Sequence, residues 1–207
     1  MDMDQLQSRL KERTPGLMDA AGRFAVLVPL VRREDGVHLL YEVRARSLSS
    51  QPGEVCFPGG RMEPGETPVE CALRETQEEL GIPPHAIRVL GQLDFLVHRS
   101  GFIMYPVLGL VEEQAADAMR LNPPEVDETF FVPLSHLRSH PPVEYSYGME
   151  PRMGEDFPYA LLGITPEYNW RVRQEKGVVW PWQGHAIWGL TAKITAHLLS
   201  VLKEYGL

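Results

Sequence analysis

The chain has 207 residues, 43% hydrophobic and 23% charged, with a formal net charge of -8, a balance that suits one soluble globular domain with edge insertions. An acidic balance without a dense basic stripe argues against a nucleic-acid binder, and no run of about 18 apolar residues is present to span a membrane. Cys56 and Cys71 form neither a disulfide framework nor a zinc-ligand spacing. They read as buried reduced thiols, which fits a cytoplasmic protein. No basic flank and apolar run follow Met1, so a signal peptide is not expected.

In chain order, residues 4–13 form a short amphipathic helix with Leu6 and Leu10 on one side, part of an N-terminal extension over 1–22. Residues 24–31 are rich in Val, Leu and Ala and read as a buried strand. Asp35-Gly36 signals a hairpin, returning over 37–46. A polar loop over 47–53 leads to a short strand at 54–57, broken by Pro58-Gly59-Gly60. Thr67 is placed to cap a helix, with Glu70 completing a capping box, and Gly81 stops that helix after Leu80. Strands follow at 87–97 and 102–111, then an acidic, proline-bearing loop at 122–128. A strand at 129–133 precedes a short helix near Leu137. Residues 141–182 predict a hairpin with an irregular insertion around 145–182, and 185–205 a final helix with Ile187, Thr191, Ile194, Leu198 and Val201 at core spacing. Mostly antiparallel strands with a few helices make the fold α+β, and the main domain is expected to span 23–207.

The segment 60–82, GRMEPGETPVECALRETQEELGI, carries the chemistry. At about 100° per residue, Glu75, Glu78 and Glu79 share one helical face, while Val69, Leu73, Thr76 and Leu80 form another stripe that can pack on a sheet. Three neighbouring carboxylates repel one another, and the helix dipole disfavours them towards its C-terminal end. A divalent cation relieves both penalties, and hard oxygen donors suit Mg²⁺ or Mn²⁺. The plain alternative is a solvated acidic face. Gly59-Gly60 tips the balance, because glycine lets the backbone approach an ion closely.

Gly60, Glu66, Arg74, Glu75, Glu78, Glu79, Gly81 and Ile82 fall in the register of the Nudix box, and the segment resembles it with one departure, Thr76 at an aliphatic position. The resemblance implies a Nudix α/β/α sandwich with a mixed central sheet and a loop-helix-loop catalytic motif. It implies that Glu75, Glu78 and Glu79 bind the metals with the Gly60 carbonyl. It also implies that Arg74 and Glu66 form an orienting ion pair, the kind of support that keeps a ligand from swinging away. The reaction that the resemblance implies is attack of water on a diphosphate phosphorus, with a carboxylate accepting the proton. Glu125, in the loop at 122–128, best matches a further acidic position used in the family, ahead of Asp127 and Glu128; surface acids on a turn are the alternative for each.

Upstream, Leu40, Arg44, Gly53 and Phe57-Pro58-Gly59-Gly60 resemble the second motif of the coenzyme A diphosphatase group. Glu42 stands where that pattern has Thr, Ala45 where it has Ser, and Ser49 where it has a second Arg. The segment at 185–192, with Trp188, is similar to another stretch of that group and reads as core packing for the last helix. The resemblance implies a small-molecule substrate, CoA or acyl-CoA, cleaved to 3′,5′-ADP and (acyl-)4′-phosphopantetheine, and allows a homodimer. Arg44, Arg46, Arg61 and Arg99 are candidate anion clamps, and Phe57 joins them as a substrate-binding residue. Tyr147, Phe157, Tyr159 and Trp170 offer an apolar groove for the pantetheine arm, or cover for a dimer interface. The alternatives are a Nudix hydrolase of ADP-ribose, NADH, a dinucleotide or a dNTP, and a non-catalytic Nudix-like ligand sensor; the retained Glu75, Glu78 and Glu79 speak against the sensor.

Overall fold

The computed structural model describes residues 2–14, 16–18 and 21–207; the remaining four positions of the expected N-terminal extension lie outside the described residues. Helix α1 (Met3–Glu12), with no buried residue, precedes the long hairpin of β1 (Gly22–Arg33) and β2 (Gly36–Arg44). Short strands β3 (Val55–Cys56) and β4 (Gly59–Arg61) then lead into helix α2 (Pro68–Leu80). Next come β5 (Ile87–Gln92), β6 (Leu96–Val97) and β7 (Phe102–Val111), helix α3 (Glu113–Asp117), β8 (Val126–Pro133) and helix α4 (Leu134–Ser139). The chain closes with β9 (Val143–Met149), helix α5 (Tyr159–Leu162), β10 (Arg173–Trp182), β11 (His185–Ile187) and helix α6 (Gly189–Glu204).

Strands β1 to β8 make one eight-stranded sheet whose main path runs β3-β2-β1-β7-β5. β1 and β2 pair antiparallel, whereas β1 and β7 pair parallel, with Ala25 opposite Tyr105. The sheet is therefore mixed. Strand alternation sorts the apolar residues into two layers. Val26, Val28, Tyr41 and Val43 pack towards Ile194 and Leu198 of α6. Ala25, Leu27, Val31 and Leu40 pack towards Cys71, Ala72 and Leu80 of α2. Each fully buried aliphatic side chain contributes roughly 1.5–3 kcal/mol, so both faces must be covered, and the result is the α/β/α sandwich expected above.

Element boundaries and one core assignment differ from the sequence reading. The loop at 122–128 gives way to strand at Val126, because β8 pairs with β2 from there onward, Arg44 facing Val126. The last helix starts at Gly189 rather than at 185, because His185–Ile187 pairs with the end of β10. Trp188, read as core, is instead 45% exposed, and Trp180 is the buried one, its indole N–H donating to the His140 carbonyl at 3.0 Å. Of the two free cysteines, Cys71 is buried and Cys56 only partly so.

Candidate active site

The position of α2 is set by its ends. Thr67 and Glu70 form a reciprocal capping box: the Thr67 N–H donates to Glu70 Oε2 at 2.8 Å, and the Glu70 N–H to Thr67 Oγ1 at 3.3 Å. Gly81 ends the helix in the left-handed region at φ 69°, where a side chain would be strained. Thr76, the departure in the box, is fully buried and donates its hydroxyl to the Ala72 carbonyl at 2.6 Å. Its polar atom is satisfied inside the helix and its methyl packs.

The acids are held from three sides. Glu79 is 6% exposed, and its Oε2 accepts from the Gly59 N–H at 2.8 Å. Gly59 is needed there because β4 pairs directly with β1, Gly59 facing Val26; a Cβ would strike the Ala25 carbonyl and the Val26 backbone. At Gly60 a Cβ would collide with the Glu75 carboxyl. Arg74 binds the rest. Its Nε and Nη2 donate to the two oxygens of Glu66 at 2.9 and 3.2 Å, and its Nη1 to Glu75 at 2.9 Å and Glu78 at 3.2 Å. Nη2 also reaches the Arg61 carbonyl at 3.3 Å, so the arginine ties the loop before the helix to its acidic face. The Gly60 carbonyl receives only a long contact from the Cys71 thiol at 3.6 Å.

Electrostatics separate the acids into two groups. Arg74 holds Glu66 below the usual carboxylate range. Burial pushes Glu75 up against the pull of Arg74. Glu79 is pushed up by burial and then by the charge of Glu42, with Glu75 and Glu125 adding to it. Glu125 is exposed, takes a hydrogen bond from Asn122 Nδ2 at 3.0 Å, and sits on a loop anchored to α2 by the Asn122 N–H on the Glu79 carbonyl at 2.8 Å. The structure thus brings Glu66, Arg74, Glu75, Glu78, Glu79, Glu125 and the Gly59-Gly60 turn together. It adds Glu42, read in the sequence only as a departure from the upstream motif. The available signal was a carboxylate inside the apolar run Leu39-Leu40-Tyr41-Glu42-Val43.

A NUDIX domain model matches residues 22–149. The chain belongs to the Nudix family. It is 36% identical over 206 residues to the peroxisomal coenzyme A diphosphatase NUDT7 of Mus musculus, spanning 98% of this chain and 80% of that protein. It is 34% identical over 203 residues to the mitochondrial coenzyme A diphosphatase NUDT8 of Mus musculus, spanning 97% and 88%. With the Nudix hydrolase NudL of Yersinia enterocolitica the identity is 39% over 198 residues, spanning 92% and 87%.

Around the Nudix helix the proposed anion clamps disperse. Arg44 shares the Glu42 side of β2 and donates to the Ser50 carbonyl at 3.4 Å, which pins the loop at 45–53. Arg46 reaches outward to Asp127 at 3.5 Å. Arg61 lies by Gly22 and Phe24 on the α6 side of the sheet, donating to the Ala21 carbonyl at 3.4 Å, because it pairs across from Phe24. Arg99 donates to the Tyr147 hydroxyl at 3.2 Å and so joins the turn before β7 to β9. Phe57 is 3% exposed and stacks on Tyr41 with ring centres 4.8 Å apart; it is a core residue, with no face left for a substrate. Glu128 faces Val43 across the ladder and stands 3.9 Å from His185, on the far side of the sheet from the acids. There it borders a cavity of about 450 Å³ shared with Arg46, Glu54 and Trp188. In the insertion Phe157, Tyr159, Tyr168 and Trp170 pack edge-to-face on one another.

The acids suit a hard divalent cation by donor chemistry: several carboxylates crowd one another, and one buried oxygen, Glu42 Oε2, lacks any hydrogen-bond partner. As placed, however, no three acidic, cysteine or histidine side chains among the described residues converge tightly enough to hold an ion. Arg74 draws Glu75 and Glu78 to itself and the Gly59 N–H turns Glu79 to the backbone. The Glu78 side chain is 54% exposed.

Proposed function

We propose that the chain hydrolyses the diphosphate of CoA or acyl-CoA, giving 3′,5′-ADP and 4′-phosphopantetheine or its acyl form, with Mg²⁺ or Mn²⁺ as cofactor. The observation that carries this is the acidic face of α2, locked by Arg74 against a two-glycine turn, in a chain that aligns over nearly its full length with relatives named as coenzyme A diphosphatases. Glu75, Glu78 and Glu79, with the Gly60 carbonyl, would hold the cations. A divalent cation held by these residues would supply positive charge to the diphosphate and would make the attacking water more acidic. Arg74 orients Glu75 while Glu66 orients Arg74, so the acids keep a defined geometry. Glu125, exposed and beside the acids, is the group we assign to take the water proton. Glu79 is the buried anchor, fixed by the Gly59 N–H.

Arg44 stays the best anion clamp, since it alone of the four arginines acts on the acid side of β2. Free Cys56 and Cys71 suit a reducing compartment such as the cytoplasm, and no helix among the described residues is long and apolar enough to cross a membrane. The test is a substrate panel of CoA, ADP-ribose, NADH and dNTPs with Mn²⁺. We expect CoA to turn over best, and mass spectrometry in ¹⁸O-labelled water to show the label in one of the two named products. An inert CoA beside rapid turnover of another substrate overturns the assignment.

A further inference from the structure

Glu42 sits in the middle of β2 with 1% of its surface exposed. Strand alternation points it, like Leu40, to the α2 side of the sheet. Its Oε1 accepts from the Cys56 thiol at 3.2 Å, and its Oε2 has no hydrogen-bond partner. A buried carboxylate oxygen left empty is costly unless something meets it. Its surroundings are acidic. After burial, Glu42 is the main charge that pushes Glu79 up, and Glu125 and Glu75 in turn act on Glu42. The Arg44 guanidinium opposes them from a distance, but its hydrogen bonds go to the Ser50 carbonyl and none reaches Glu42. An uncovered oxygen amid like charges is a donor awaiting a cation.

We propose that Glu42 is a further ligand of the cation site, its free Oε2 acting beside Glu79 while the Cys56 thiol holds Oε1 in place. The inference rests on the cation-binding reading above and extends it to a residue outside the Nudix box. The upstream motif that this segment resembles has Thr at this position, so the acid is not part of that motif.

The experiment titrates the full chain with Mn²⁺ and follows the free aqua ion by electron paramagnetic resonance. Wild type, Glu42→Gln, Glu42→Thr and Glu79→Gln are compared, with thermal unfolding in chelator recorded alongside. Both Glu42 variants are expected to stay folded and to bind Mn²⁺ at least roughly tenfold more weakly. The Thr variant, whose side chain suits a strand, keeps the test open if Gln misfolds. Affinity within about twofold of wild type in the folded Glu42 variants, with binding lost in Glu79→Gln, overturns this inference and leaves the proposed function standing. A wild type that binds no Mn²⁺ overturns both.

Discussion

Replacing Arg74 by Met tests how much of the site's order comes from one side chain. The guanidinium makes four contacts of 2.9–3.2 Å to Glu66, Glu75 and Glu78, with 28% of its side chain exposed against 11% for Glu66 and 17% for Glu75. Removing one partner of a fully buried pair costs about 3–5 kcal/mol, and an exposed pair contributes about 0–1 kcal/mol. This partly buried network falls between, so the variant should lose about 2–3 kcal/mol. At this chain length each kcal/mol moves Tm by about 2–4 °C, a drop of roughly 4–12 °C. The loss should shrink on acidification. Glu66 has a lowered folded-state pKa, so its contribution is present above the ordinary carboxylate value of 4.5 and disappears as pH falls through the folded value. Lys should not restore stability, since a single ammonium cannot grip Glu66 with a fork and reach Glu75 as well. Urea denaturation at neutral pH measures this. A variant within about 0.5 kcal/mol of wild type refutes the view that Arg74 organises the acids.

Gly60→Ala should leave stability within about 1 kcal/mol, because the Glu75 side chain can move, yet lower kcat/KM for CoA roughly tenfold or more by displacing that carboxyl; unchanged kinetics would remove the reason given for glycine. In chelator, stability should fall as pH rises above 4.5, since Glu79 and Glu42 have raised pKa values in the fold and the native state then holds more protons than the unfolded chain. Glu79→Gln should flatten that slope between about pH 5 and 8, and denaturation showing an unaltered slope contradicts it. Tyr41→Phe removes the hydroxyl that meets Thr195 Oγ1 at 2.9 Å, but Thr195 still donates to the Thr191 carbonyl, so the loss should be near 1 kcal/mol. Thr195→Val leaves the buried Tyr41 hydroxyl alone and should cost about 1–3 kcal/mol; a reversed order in denaturation curves would show that the pair is not arranged as described.

The sequence alone determined what is local and periodic. Thr67, Glu70 and Gly81 marked both ends of α2, since capping and left-handed turns are written within a few residues. The shared face of Glu75, Glu78 and Glu79 followed from helical spacing, and β1 and β2 from an apolar run around Asp35-Gly36. Only the tertiary structure decided which residues meet across the sheet. A one-residue step along a strand reverses the face, and periodicity does not say which face belongs to which helix. That is why Arg61, adjacent in sequence to Gly60, ends on the side away from Glu75, why Phe57 is lost to the core against Tyr41, and why Glu42, in the sequence only a departure from a motif, joins Leu40 on the α2 side with Glu79.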